Sequence, residues 1–257
     1  MSSKITGLIQ TLQHKRTLRR WDRMERLARS VGLDQLRDMR AMARQLRQRV
    51  NNVNFLADMR LTKPLIGSTA MTVPPGTDWS HRPAAWAGPL DPIGYAPVRN
   101  KTAFGEDLTV YHDCKSACLS LRQIRNTTSD DLAPFRLAMD VFNFDGSFLS
   151  MVLQAPPAAV EGLKKRHIIR LTMSASSERP LEMSARLNLK HGPNTEQVSQ
   201  EITLNSDEIV VEFDLAFMRF NETRVEQIWL DLFFDSPSMN RVEIRDITLS
   251  RHPRAEI

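Results

Sequence analysis

His191-Gly192-Pro193-Asn194-Thr195-Glu196-Gln197 is the most concentrated polar stretch in the second half of this chain. It offers an imidazole (His191), an amide (Asn194) and a carboxylate (Glu196) within six residues. Such a mixture of donors and acceptors reads hydroxyl groups in pairs. His191, Asn194 and Glu196 are therefore candidate ligand-binding residues. A turn in which Asn194 bonds its own backbone has the same composition.

A second chemistry sits near the N-terminus. Arg16, Arg19, Arg20, Arg23 and Arg26 fall within eleven residues, relieved only by Asp22 and Glu25. Guanidinium groups fork onto phosphate oxygens, so the cluster suits an anionic membrane surface or a nucleic-acid backbone. Residues 1–62 hold 14 Lys and Arg against 5 Asp and Glu, a net of +9, which leaves −4 for residues 63–257. A basic arm on a mildly acidic body points to an anionic partner. A solvated helix whose arginine stems cover its own flanks has the same sequence.

Two thiols stand four apart in His112-Asp113-Cys114-Lys115-Ser116-Ala117-Cys118. With His112 they make three potential zinc ligands, and no second pair supplies a fourth. Strand-edge thiols are the expectation, with no metal and no cofactor. Asp231 and Asp235 form a carboxylate pair on one strand face with no histidine beside them, which is expected to be a solvated face. No Gly-x-Ser-x-Gly elbow, phosphate-binding glycine loop or His-Glu-x-x-His is present, so the expectation is a protein that is not an enzyme.

These groups need elements to hold them. Leu181, Met183, Ala185, Leu187 and Leu189 alternate with polar residues. Ile209, Val211, Phe213, Leu215 and Phe217 repeat that period over a segment 208–218. Alternation gives a strand one apolar and one wet face, as in an antiparallel sheet packed on another layer. Further strands are predicted over 107–112, 118–125, 135–142, 148–154, 167–174, 202–204, 227–234 and 241–250. A polar turn covers 191–197, a short helical insert follows Pro156-Pro157, and Asp145-Gly146 favours a tight hairpin. The last strand changes parity between Ile244 and Ile247, as a β-bulge would cause. The predicted fold is mainly β, a jelly-roll-type β-sandwich over 105–257.

Residues 1–62 read as an Arg-rich helical segment, either a hairpin or a coiled coil. Leu18, Trp21, Met24, Leu27, Ala28 and Val31 share one side of a first helix. A turn at Ser30 to Leu33 leads to a second helix that Asp34 is placed to cap. There Leu36, Met39, Ala43, Leu46, Val50, Val53 and Ala57 fall at spacings of three and four. That heptad stripe fits a partner copy, giving a homo-oligomer, or the protein's own sheet. Between the two lies a connector over 63–104, rich in proline, where regular structure is not expected. Its Trp79, Trp86 and Tyr95 are read as packing anchors, with an exposed Trp pair stacking on sugars or bases as the other reading. Residues from about 100 onward are expected to fold alone.

The segments Leu65-Ile66-Gly67-Ser68, Gly76-Thr77-Asp78-Trp79, Phe144-Asp145-Gly146-Ser147-Phe148-Leu149-Ser150, Lys190-His191-Gly192-Pro193-Asn194-Thr195-Glu196-Gln197 and Arg251-His252-Pro253-Arg254-Ala255-Glu256 resemble an uncharacterised alphaproteobacterial family. That resemblance implies no activity. The strand order and the ending Val242-Glu243-Ile244-Arg245-Asp246-Ile247-Thr248-Leu249 are similar to galactose-binding-like β-sandwiches.

Two functional classes follow. One is a non-enzymatic module that binds a glycan or protein and rides on an oligomerising helical stalk. The other is a scaffold whose Arg-rich arm holds an anionic membrane or nucleic acid. No apolar run reaches the roughly 20 residues that span a bilayer, and no secretory leader is evident. The expected address is cytoplasmic, with peripheral membrane association open.

Overall fold

A computed structural model describes residues 2–61, 71–115, 118–128, 130–204 and 208–254, with side chains from residue 13 onward except 55 and 58–61. The chain divides into two compact units, residues 1–54 and 55–257.

The first unit is built from α1 (Ser2–Leu27) and α2 (Leu33–Leu61), the latter running on into the second unit. Helix α2 begins at Leu33, so Asp34 lies inside its first turn, where it accepts a hydrogen bond from Arg37 Nη1 at 2.8 Å. Trp21, Met24 and Ala28 of the first helical stretch and Leu36, Met39 and Ala43 of α2 line one hollow of about 240 Å³. The stripe read from sequence thus meets its own hairpin partner at this end. Farther along α2, Leu46, Val50 and Val53 of the same stripe are exposed.

The second unit is a sandwich of two antiparallel sheets. Its strands are β1 (Trp79–His81), β2 (Gly94–Tyr95), β3 (Thr102–Phe104), β4 (Leu108–His112), β5 (Leu119–Arg125), β6 (Phe135–Val141) and β7 (Leu149–Gln154). Then come β8 (His167–Ser177), β9 (Glu182–His191), β10 (Asn194–Ile202), β11 (Ile209–Asp214), β12 (Val225–Asp235) and β13 (Asn240–Pro253). One sheet runs β11-β8-β13-β6-β5-β2, with β1 also on β13; the other runs β10-β9-β12-β7-β4-β3. From β2 to β3, β4 to β5, β6 to β7, β7 to β8, β8 to β9, β10 to β11, β11 to β12 and β12 to β13 the chain changes sheet, which is the crossing connectivity of a jelly-roll-like sandwich.

Alternation places the core. Met183, Ala185, Leu187 and Leu189 of β9, Ile228, Leu230, Leu232 and Phe234 of β12, and Ile169, Leu171 and Met173 of β8 are buried between the sheets. In β13 the register against β8 shifts between Ile244 and Asp246, so Ile244 and Ile247 both point inward across the bulge.

Several expectations need correction. The strand begun at Ile209 stops at Asp214, whose carboxylate accepts from Ala216 N at 2.9 Å and closes a 3-10 turn over Leu215–Phe217. That break in alternation turns Phe217 out to 80% exposure. Asp145-Gly146 makes no hairpin, because β6 and β7 belong to different sheets. The crossing is held instead by Asp113, whose carboxylate accepts from Ser147 N at 2.7 Å, Ser147 Oγ at 2.6 Å and Phe148 N at 3.2 Å. These bonds, that of Ser147 first, keep the Asp113 carboxyl below its usual pKa. Gly146 is needed there because a Cβ would lie 2.5 Å from Asp113 Oδ1.

The proline-rich stretch is also more regular than composition suggests. It supplies β1, β2, β3 and a short helix, α3 (Ala84–Ala87). Polar side chains of the sandwich fix it in place: Gln123 Nε2 donates to Ala85 O and Gly88 O, each at 2.7 Å, and its Oε1 accepts from Leu90 N at 2.9 Å. Arg82 forks onto Asp246 through two bonds of 2.8 Å. Trp86 is fully buried and donates from Nε1 to Ile244 O at 2.9 Å, and Trp79 packs half-buried against the core. An exposed Trp pair is therefore not present, and residues from 100 onward do not hold the whole core.

Candidate functional site

The strands of the six-stranded sheet turn one face to the core and the other to the outside. On β12 the outward residues are Gln227, Trp229, Asp231, Phe233 and Asp235, since Ile228, Leu230, Leu232 and Phe234 are buried. Register then fixes their neighbours. Trp229 lies between Asn188 and Gln154, Asp231 between Arg186 and Val152, and Phe233 between Ser184 and Ser150. One strand beyond, Tyr111 pairs with Ser150 and Thr109 with Val152.

Three aromatic rings thus share the outer face, all half-buried. Trp229 and Phe233 stand four residues apart on one strand, roughly 13 Å, and Tyr111 lies two strands from Phe233, roughly 10 Å. Between Trp229 and Phe233 runs a polar bridge. Arg186 donates to Asp231 Oδ2 from Nε at 3.0 Å and from Nη2 at 2.7 Å, and its guanidinium carbon sits 4.6 Å from the centre of the Phe233 ring. Asn188 Nδ2 donates to the same carboxylate oxygen at 3.0 Å. Asn188 is fully buried, and its Oδ1 has no hydrogen-bond partner among the described residues. At the rim Gln227 Nε2 donates to Gln154 Oε1 at 2.6 Å, and Lys190 Nζ lies 2.7 Å from Glu226 Oε2. The Lys190 bond and charge hold the exposed Glu226 carboxyl below its usual pKa.

Asp231 and Asp235 are therefore not a shared solvated face. Asp231 is 5% exposed and tied to Arg186 and Asn188, while Asp235 is exposed at the strand end. Their Cα atoms stand roughly 13 Å apart along the strand.

The polar stretch 191–197 is shorter as a turn than its composition implies. Gly192 and Pro193 alone make the turn, and β10 begins at Asn194. His191 pairs with Asn194 and Leu189 with Glu196, so His191, Asn194 and Glu196 share one side of the hairpin. It is the side of buried Leu187, Leu189 and Ile202, toward the sandwich interior. His191 is 9% exposed and packs edge-on against Phe220, with ring centres 6.4 Å apart. Its Nε2 is buried without a hydrogen-bond partner among the described residues. Asn194 is exposed and Glu196 half-buried.

His112, Cys114 and Cys118 do not converge. The buried His112 ring places Nε2 3.2 Å from Val98 O, Cys114 Sγ donates to Asp145 Oδ1 at 2.6 Å, and Cys118 is exposed. No three His, Cys, Asp or Glu side chains gather as a metal site among the described residues. Arg16, Arg19, Arg20, Arg23 and Arg26 all lie exposed on α1, and none forms an ion pair among the described residues. No helix is long and apolar enough to cross a membrane among the described residues.

Over residues 1–257 the sequence matches a family of unknown function, DUF6478. The chain belongs to that family. No curated protein matches it in sequence. Among solved structures it is similar to a family 11 carbohydrate-binding module of Clostridium thermocellum in complex with a β-1,3-1,4-mixed-linked tetrasaccharide, at 13% identity and a TM-score of 0.38 over 62% of this chain and 96% of that one. The xylan-binding domain CBM22-1 of Paenibacillus barcinonensis Xyn10C gives 8% identity and 0.37 over 63% and 95%. The enzymatically active domain of tailspike protein 4 of bacteriophage CBA120 gives 7% and 0.39 over 56% of this chain but only 19% of the other. These likenesses carry no ligand over to the DUF6478 chain.

Sequence reading missed the outer face of β12. Its signal was Trp229-x-Asp231-x-Phe233, two aromatics on the side that parity assigns to water.

Proposed function

We propose that the sandwich of this DUF6478 protein is a non-enzymatic binding module that holds a carbohydrate chain against the outer face of the six-stranded sheet. The observation that carries this reading is the alignment of Trp229 and Phe233, with Tyr111 beside them, around the Arg186–Asp231–Asn188 bridge. A pyranose ring has an apolar face that stacks on an aromatic ring and a rim of hydroxyls that take paired donors and acceptors. The half-buried aromatics supply the stacking surface, and Arg186, its side chain 34% exposed and held in place by the buried Asp231 and Asn188, supplies donors beside them. Asp231 is spent on positioning Arg186 and Asn188, which fits recognition rather than acid–base work.

The test is calorimetric titration with soluble oligosaccharides of mixed-linked glucan, xylan and galactan, beside Trp229→Ala and Phe233→Ala. Binding of at least one class, weakened about tenfold or more (~1.4 kcal/mol) by either substitution, supports the reading. Binding that ignores both substitutions removes the site from this face. No binding to any glycan, with peptide ligands captured on the same face, assigns the surface to protein.

The helical unit supports a second, independent reading, attachment to a polyanion or anionic surface. What favours it is the five exposed α1 arginines without ion pairs among the described residues.

A further inference from the structure

We infer that the helical unit docks on an anionic lipid bilayer, with the uncovered part of the α2 stripe entering the headgroup boundary; this rests on the polyanion reading of the arm and deepens it. The stripe changes character along its length. At Leu36, Met39 and Ala43 it is half-buried beside Trp21, Met24 and Ala28. Three, four and seven residues before Trp21 on α1 stand Leu18, Thr17 and His14; all three are exposed, and Leu18, the only apolar one of them, is 51% exposed rather than laid over the stripe. Leu46, Val50 and Val53 are correspondingly 37%, 47% and 64% exposed, and Met42 beside them is 43% exposed. Apolar side chains at this spacing form one continuous edge on a helix surface.

Charge selects the occupant. Arg47 lies three residues before Val50, and Arg49 three residues after Leu46, so both flanks of the edge are cationic. The five α1 arginines add to this field, and residues 1–62 carry a net of +9. A second copy laid on the same edge would bring together two helices that each carry Arg37, Arg40, Arg44, Arg47, Arg49 and Arg60 against only Asp34, Asp38 and Asp58. A nucleic acid would use the cations and leave the apolar edge in water. A bilayer containing anionic lipid takes both, because apolar side chains enter the acyl boundary while guanidinium groups remain at the phosphates.

The experiment is sedimentation of the full chain with vesicles of phosphatidylcholine alone, vesicles with added phosphatidylserine, and a DNA duplex, each at low and physiological salt. Expected is binding to the serine-lipid vesicles only, falling on the order of a thousandfold in Arg16→Gln, Arg19→Gln, Arg20→Gln, Arg23→Gln and about tenfold or more in Leu46→Ser, Val50→Ser, Val53→Ser. In case the serine variant loses its helices, a nitroxide is placed at Val53→Cys in a chain with Cys114→Ser and Cys118→Ser. On adding serine-lipid vesicles it should gain oxygen accessibility and lose collisions with a water-soluble nickel chelate. Binding to neither vesicles nor DNA overturns the polyanion reading itself. Binding to DNA but not vesicles leaves that reading standing and overturns the lipid surface. Vesicle binding with an unchanged nitroxide overturns insertion of the stripe. A dimer that the serine variant abolishes, without vesicle binding, gives the stripe to a second copy and overturns the inference.

Discussion

Arg251 on the last strand grips Asp78 just ahead of the first, 173 residues earlier, donating from Nε to Oδ1 at 2.8 Å and from Nη2 to Oδ2 at 3.1 Å. The same guanidinium donates from Nη1 to Ala159 O at 2.9 Å. One buried cation therefore ties the entry of the sandwich, its final strand and the loop after β7 together. Burial works against ionisation of Asp78, but the Arg251 bond and charge, helped by His167, outweigh it and lower the Asp78 pKa.

Asp78→Asn is expected to destabilise the protein by about 1–2 kcal/mol. Breaking a buried pair from one side costs about 3–5 kcal/mol, and the discount follows because the Asp78 side chain is 44% exposed. Arg251→Ala removes all three bonds and should cost more than Asp78→Asn. Urea unfolding of both variants checks the order, and equal stability of all three proteins would show the clamp to be idle.

The place where the second unit begins is testable by truncation. A chain starting at Met71 retains Trp86, Arg82 and β1 and should melt cooperatively. A chain starting at Asn100 loses the fully buried Trp86, whose deletion alone is worth about 3–5 kcal/mol, together with the Arg82–Asp246 fork. It should show no cooperative transition. Native-like melting of the shorter chain would mean that the wrapped segment only decorates the sandwich.

Stability should fall as pH drops from about 7 to about 5, and His167 should carry part of that slope. Burial, then the neighbouring cations Arg251, Arg166 and Lys164, lower the His167 pKa against the pull of Asp78. Its Nδ1 accepts from Lys164 N at 3.1 Å, so protonation there breaks a bond. The unfolded imidazole titrates near about 6.5 and binds its proton first, so the folded state loses stability on that side. Asp78 acts lower: its depressed pKa gives stability present above about 3.9 and lost as pH falls through its folded value. His167→Gln should flatten the upper window and shrink the lower one only in part, since the Arg251 bond and charge on Asp78 remain, as read from melting temperatures across pH. A variant with an unaltered upper slope would remove His167 from the account.

Asp231→Asn should lower both stability and ligand affinity, because Arg186 and Asn188 lose a shared charged acceptor. About 1–2 kcal/mol of stability is expected, reduced from a fully buried pair by the 34% exposure of the Arg186 side chain. Asp235→Asn, at the exposed strand end, should change stability by less than about 0.5 kcal/mol. Thermal melts of the pair suffice, and equal effects would refute the bridge as a structural unit.

Period-two alternation by itself determined the core face of β9. Leu181, Met183, Ala185, Leu187 and Leu189 all came out buried, and the parity change before Ile247 is a real bulge. A strand's two faces are a local property of the backbone, so local sequence suffices to separate them. Only tertiary structure decided which sheet each strand joined, and hence that Asp145-Gly146 crosses between layers. It also decided the fate of polar residues: Asn188 and Asp231, wet by parity, are buried and bonded to each other because β9, which carries Arg186 and Asn188, lies beside β12, which carries Asp231. His191, polar by composition, turns inward because β9 runs on through it, two residues beyond the buried Leu189. Proline content hid the wrapped segment, since Gln123 and Asp246, which hold it, lie 33 or more residues away in sequence. Partners that far apart leave no local mark, because pairing across a sandwich depends on which strands become neighbours, and alternation along one strand does not encode that.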